Sequence, residues 1–117
     1  MATGTITDIV NMKLLWQNPN PSIDFAAQTV TLNSSDYDFI LAIFATATNG
    51  THTVSAIFPK GYGSAFSFGA VLSGAIQIRG RNITYISPTS IQFGDANVNG
   101  TVNNTYCCPL YLYGFKA

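Results

Sequence analysis

Nowhere in this chain does an apolar periodicity of 3.6 residues last for a helix's length; β-branched and aromatic residues come in short runs set apart by turn sequences. The runs fall at 12–16, 26–32, 37–46, 53–58, 64–72, 75–79, 83–87, 90–93, 97–102 and 106–115. Between them stand Asn18-Pro19-Asn20-Pro21, Asn33-Ser34-Ser35-Asp36, Asn49-Gly50, Pro59-Lys60-Gly61, Gly80-Arg81-Asn82, Gly94-Asp95 and Asn99-Gly100. Asn-Gly tolerates the positive φ of tight hairpin turns, so positions 49 and 99 are the strongest hairpin signals. Around Gly80 the apolar positions switch from even (Ile76, Ile78) to odd (Ile83, Tyr85), which predicts a hairpin or bulge there. The pattern predicts an all-β, antiparallel β-sandwich of jelly-roll-like type.

The 117 residues fit one domain, read as a sandwich over 12–117 preceded by a small, polar linker or N-terminal arm at 1–11. Every acidic residue is Asp, which leaves the charged face of an ordinary helix without its usual Glu. Five Lys and Arg balance five Asp, so there is no basic field for nucleic acid and no polybasic segment for a membrane surface. The longest apolar stretch, 39–45, falls far short of the ~20 residues that span a bilayer. Residues 1–7 lack the basic and apolar regions of a signal peptide.

Only 9% of the residues are charged, against about a quarter in an ordinary soluble domain. The windows 39–59, 61–78 and 96–115 carry no formal charge at all. In the strand around Phe39, both faces are apolar: Phe39, Leu41, Ile43 and Ala45 on one, Ile40, Ala42 and Phe44 on the other. The last strand repeats this, with Cys108, Leu110 and Leu112 opposite Cys107, Pro109, Tyr111, Tyr113 and Phe115. A strand with one wet face should alternate. These two strands therefore predict a second burial, by a subunit interface of a closed oligomer or by a packed loop.

Cys107 and Cys108 are adjacent, and neighbouring strand side chains point to opposite faces, so they read as two free buried thiols, with pairing between chains of an oligomer as the alternative. His52 is the only His, too little for a zinc site with them. No cofactor is expected.

The order of Leu14-Leu15-Trp16-Gln17-Asn18-Pro19-Asn20-Pro21, Phe25-Ala26-Ala27-Gln28-Thr29-Val30, Asp36-Tyr37-Asp38, Pro59-Lys60-Gly61-Tyr62, Ile91-Gln92-Phe93-Gly94 and Asn104-Thr105-Tyr106, leading into Pro109-Leu110-Tyr111-Leu112-Tyr113-Gly114, resembles the distal (tip) domains of bacteriophage tail fibres and minor structural proteins. The resemblance covers nearly all of the chain after Asn11. It implies a homotrimeric, non-enzymatic virion module on the particle surface that binds a bacterial cell-surface glycan or protein. It transfers no contact residue. Two other readings are a head-fibre knob or capsid decoration protein, which touches only virion partners, and a carbohydrate-binding module of a bacterial enzyme, which would be monomeric with a row of exposed aromatics.

Candidate chemistry is sparse. Asp36 and Asp38 would project from one strand face ~7 Å apart, within reach of a glycosidase pair, but their turn context reads as capping and solvation. No nucleophile-elbow pattern surrounds a Ser, and Gly61, Gly63 and Gly69 lack the Lys and following helix of a phosphate loop. Sugar recognition needs aromatic faces and planar polar groups, and the loop-proximal residues of that kind are Tyr62, His52, Arg79, Arg81 and Asp95. Their plain alternative is a Tyr packed on its own loop and arginines solvating a hairpin. Trp16 reads as core. The Asn-X-Ser/Thr sequons at Asn33, Asn49, Asn82, Asn99 and Asn103 read as turn composition.

Overall fold

The computed structural model describes residues 12–72 and 74–117, the side chains of 70–72 excepted; the arm expected at 1–11 lies outside the described residues. Among the described residues, β-branched and aromatic runs form ten strands: β1 (Met12–Gln17), β2 (Gln28–Thr31), β3 (Phe39–Ala47), β4 (Thr53–Pro59), β5 (Ser64–Leu72), β6 (Ala75–Ser87), β7 (Ser90–Phe93), β8 (Asn97–Val98), β9 (Thr101–Val102) and β10 (Tyr106–Phe115). They pair antiparallel in two sheets. One sheet has the order β1-β10-β3-β4; the other runs β2-β7-β6-β8-β9, with β5 also on β6.

The period of two along each strand decides which side chains meet between the sheets. From the first sheet come Ile40, Ala42 and Phe44 of β3, Phe58 of β4 and Leu112 of β10; from the second, Val30, Ile83, Ile91 and Phe93. Phe44 stacks on Phe66 of β5 with centroids 4.8 Å apart and meets Phe93 edge-on at 6.1 Å. Phe44 and Phe93, both fully buried, each contribute roughly 1.5–3 kcal/mol over the exposed state. The all-β sandwich expected from the turn pattern is therefore the observed class.

Both Asn-Gly turns form. Asn49 takes φ 59° between β3 and β4, and the amide of Gly50 donates to the Ala47 carbonyl at 2.8 Å. Asn99 (φ 49°) and Gly100 (φ 87°) turn β8 into β9, so the single strand expected over 97–102 is a small hairpin. Asn99 also exchanges bonds with β6, its amide donating to the Ile78 carbonyl and its Oδ1 accepting from the Ile78 amide, both at 2.8 Å.

The turn expected at Gly80-Arg81-Asn82 does not exist: β6 runs unbroken from Ala75 to Ser87. The change of parity has a different cause. Even residues of β6 face outward throughout, leaving Ile76 and Ile78 65% and 53% exposed, while odd Arg79, Arg81 and Ile83 face inward. Gly80 is a close-approach glycine, since a Cβ there would lie 2.6 Å from the Phe66 carbonyl oxygen of β5.

Candidate binding surfaces

The five residues that the sequence nominates for receptor contact do not come together. His52 precedes β4 and Tyr62 follows it, so the seven residues of that strand hold the two about 20 Å apart at ~3.3 Å per residue. Both are exposed, Tyr62 by 69%. Arg79 and Arg81 are corrected from loop-proximal residues to buried strand residues, because β6 continues where a turn was expected. The guanidinium of Arg79 lies 4.0 Å from the centroid of the Tyr106 ring and donates to Gln77 Oε1. Arg81 reaches across the sandwich, donating to the carbonyls of Cys107 (2.9 Å), Gly94 (2.7 Å) and Tyr106 (3.3 Å).

Asp95 is also a structural fastener. Its Oδ1 accepts from the Ala27 amide at 2.9 Å and from Asn104 Nδ2 at 3.0 Å, and these bonds hold its carboxyl below the usual range. Asp36 is exposed, and Asp38 accepts from the Ala117 amide at 2.9 Å, in keeping with the capping and solvation reading. Among the described residues no cluster of three or more His, Cys, Asp or Glu is placed to hold a metal ion. Nor is any described helix long and apolar enough to cross a membrane.

The thiols are free and buried, as their adjacency predicted. Burial pushes Cys107 up to about 11, and Cys108 up as well, with Arg81 opposing both shifts. Both therefore stay protonated and unreactive near neutrality. A disulfide-exchange reagent at pH 8 should leave native protein unmodified and titrate both thiols once urea unfolds it. The raised Cys107 value also sets a sign: its contribution to stability is complete below its ordinary value of 9.0 and is lost as pH rises through about 11. The urea midpoint should accordingly begin to fall above pH 9.

Two surfaces remain that side-chain chemistry singles out. The first is the outer face of the β1-β10-β3-β4 sheet. Cross-strand register lines up Met12, Phe115, Phe39 and Pro59 in one row, and Leu14, Tyr113, Leu41 and Ile57 in the next. Gln17, Tyr111, Ile43 and Ser55 make a third. No residue of the three rows is charged. Phe39 and Phe115 stack at 5.3 Å, and Ile57 is 60% exposed. The face spans four strands, on the order of 400 Å² at ~4.8 Å between strands and ~6.8 Å between rows. A patch of about this size is typical of the largest apolar patch on a monomer, and such patches are often functional. The sequence made these strands apolar on both faces, and the described residues leave the second face half-buried rather than covered.

The second surface is a cleft of about 340 Å³ on the flank of the sandwich, beside edge strands β1 and β2. Trp16, Asn20, Ile23, Asp24, Gln28 and Thr29 are among its walls. The Asn-Pro-Asn-Pro segment shapes it: Asn18, buried, donates from its amide to the Leu110 carbonyl (2.9 Å) and from Nδ2 to the Pro109 carbonyl (2.7 Å), while its Oδ1 accepts the Asn20 amide (2.9 Å). Trp16 is half-buried at the margin of the core, packing against its Phe25 at 6.0 Å and Phe93 at 5.6 Å. Sequence reasoning missed this cleft, because its walls join only when β1 and β2 fall on neighbouring edges of different sheets.

These features define a β-sandwich carrying an uncharged apolar sheet face and a separate flank cleft. No protein-family model, curated protein or solved structure matches the chain.

Proposed function

We propose that this chain is a non-enzymatic attachment module of a bacteriophage particle, a trimeric, jelly-roll-like sandwich at the tip of a tail fibre or related appendage that holds a bacterial surface glycan or protein. The observation that carries the reading is the outer face of the β1-β10-β3-β4 sheet, three uncharged rows with stacked Phe39 and Phe115 at their border. Copies of the chain packing through that face remove it from water, and the low charge of the chain suits such burial. Three weak receptor sites on one rigid assembly then give avidity that no single site needs to supply.

Light scattering on a size-exclusion column should return three times the chain mass. Leu41 stands in the middle row, between Tyr113 and Ile57, so Leu41→Lys places a charge in the contact. Its self-association should weaken on the order of 100-fold, giving a folded monomer. A wild-type protein that stays monomeric at micromolar concentration sinks the oligomer. Adhesion of labelled trimer to bacterial cells separates receptor binding from a purely structural role in the particle.

A further inference from the structure

We propose that the flank cleft bordered by Trp16, Asn20, Asp24, Gln28 and Thr29 is a binding site for a neutral saccharide. The inference rests on the attachment reading only for where the sugar would come from; the site itself is argued from its walls. Its volume, about 340 Å³, lies at the small end of the range for specific small-ligand clefts. Its chemistry is mixed in the manner a sugar ring requires, with an apolar face for C–H groups and fixed polar atoms for hydroxyls.

Trp16 supplies the apolar face. Its ring is braced by Phe25, edge-on at 74°, and by Phe93, so it presents a rigid platform rather than a mobile side chain. Exposed Ile23 widens the apolar wall. The polar groups are held in place before any ligand arrives. Asp24 Oδ1 accepts from Thr48 Oγ1 at 3.3 Å and Thr105 Oγ1 at 3.1 Å, and Oδ2 accepts from Thr105 Oγ1 at 3.2 Å. Gln28 donates from Nε2 to the Ala26 carbonyl at 3.1 Å, which orients its amide and leaves Oε1 without a partner among the described residues. Asn20 Oδ1 accepts from the Ser22 amide at 3.3 Å, which leaves its Nδ2 donor in the same position. A rigid platform with a pre-set donor and acceptors lowers the ordering cost of binding.

Charge narrows the ligand class. Among the described residues neither Lys nor Arg lines the cleft and Asp24 is its one ionisable side chain, so phosphates, uronates and sialic acids meet a carboxylate with no cation to offset it. A purely apolar ligand would leave the amides of Asn20 and Gln28 desolvated without partners. A neutral hexose satisfies both constraints. The cleft also lies clear of the apolar sheet face, because Trp16 pairs with inward-facing Leu112 of β10.

Trp16 is the only tryptophan of the chain, so its emission reports on the cleft directly. The assembled protein is titrated with neutral mannan, galactan and glucan tetrasaccharides at up to millimolar concentration, with sialyllactose as the charged control. The expected result is a saturable change in emission with at least one neutral saccharide and none with sialyllactose. Asn20→Ala and Gln28→Ala should each weaken that binding about tenfold while leaving the urea midpoint and the oligomeric mass as in the parent. No change with any neutral saccharide overturns the proposal, as does a change that persists undiminished in the Asn20→Ala/Gln28→Ala double variant. Adhesion to bacterial cells, read in parallel, keeps the two readings apart. A protein that adheres but shows no saccharide response loses the cleft and keeps attachment; one that responds to saccharide but adheres to no cell keeps the cleft and loses attachment.

Discussion

Arg81→Met should lower the free energy of unfolding by about 3–5 kcal/mol in a urea titration, a large part of the ~5–15 kcal/mol that holds a domain of this size together. Arg81 is 1% exposed and its guanidinium carries three donor bonds, to the carbonyls of Cys107, Tyr106 and Gly94. Methionine matches the apolar stem but donates nothing, so buried carbonyls that faced a cation lose their partner. Each buried carbonyl left without a donor costs about 1–3 kcal/mol, and the three together outweigh the desolvation cost that leaves with the cation. The bond to Cys107 has further weight, since Cys107 sits at φ 50°, a left-handed conformation that costs a non-glycine residue roughly 1–2 kcal/mol. Arg81→Lys should fall between parent and Met, because a point-like ammonium cannot serve three acceptors set around a planar fork. A Met variant that loses less than about 1 kcal/mol would falsify this account of the buried arginine.

The second large effect belongs to Phe44. It is fully buried at the centre of the sandwich, stacked on Phe66 with an interplanar angle of 9° and set perpendicular to Phe93. Phe44→Ala removes the ring that fills the space between β3 and β5, and the two sheets cannot close the void without breaking their strand register. A loss of about 3–5 kcal/mol is expected, transfer and cavity contributions together. Phe44→Leu should recover more than half. Tyr62→Ala is the control: an exposed loop side chain should change stability by no more than about 0.5 kcal/mol. If Phe44→Ala and Tyr62→Ala shift the urea midpoint equally, Phe44 is not the centre of the core.

Much of the fold could be read before any coordinates. Asn49-Gly50 and Asn99-Gly100 turn where their chemistry says they should, because the φ near 50–60° of Asn49 and Asn99 is a local conformation that asparagine accepts. The adjacent thiols are free for an equally local reason, the opposite directions of neighbouring strand side chains. The error at Gly80 is instructive by contrast. The switch of apolar positions from even (Ile76, Ile78) to odd (Ile83, Tyr85) predicts a hairpin or bulge, yet the strand runs straight through. An apolar pattern identifies the core face only where exposed positions are polar, and the outer end of β6 breaks that condition.

The candidate surfaces divide the same way. Leu41, Ile43, Tyr111 and Tyr113 were already marked by strands apolar on both faces, and the register brings them side by side in continuous rows. For Trp16, Asn20, Asp24 and Gln28 no local signal exists. Asp24 is held by Thr48 and Thr105, residues far along the chain on other connections. Arg81, nominated for a loop, became the clamp between β6 and the start of β10.

The amino-acid sequence by itself determined the all-β class, the two Asn-Gly turns, the free thiols and the doubly apolar strands, since each depends on φ preferences or on a period of two within a few residues. Which face of β6 is buried, where a cation can be satisfied inside the sandwich, and which side chains wall the flank cleft were decided only by the tertiary structure. Those depend on which strands become neighbours, and strand pairing is a sum over contacts distant in sequence that no local stretch encodes.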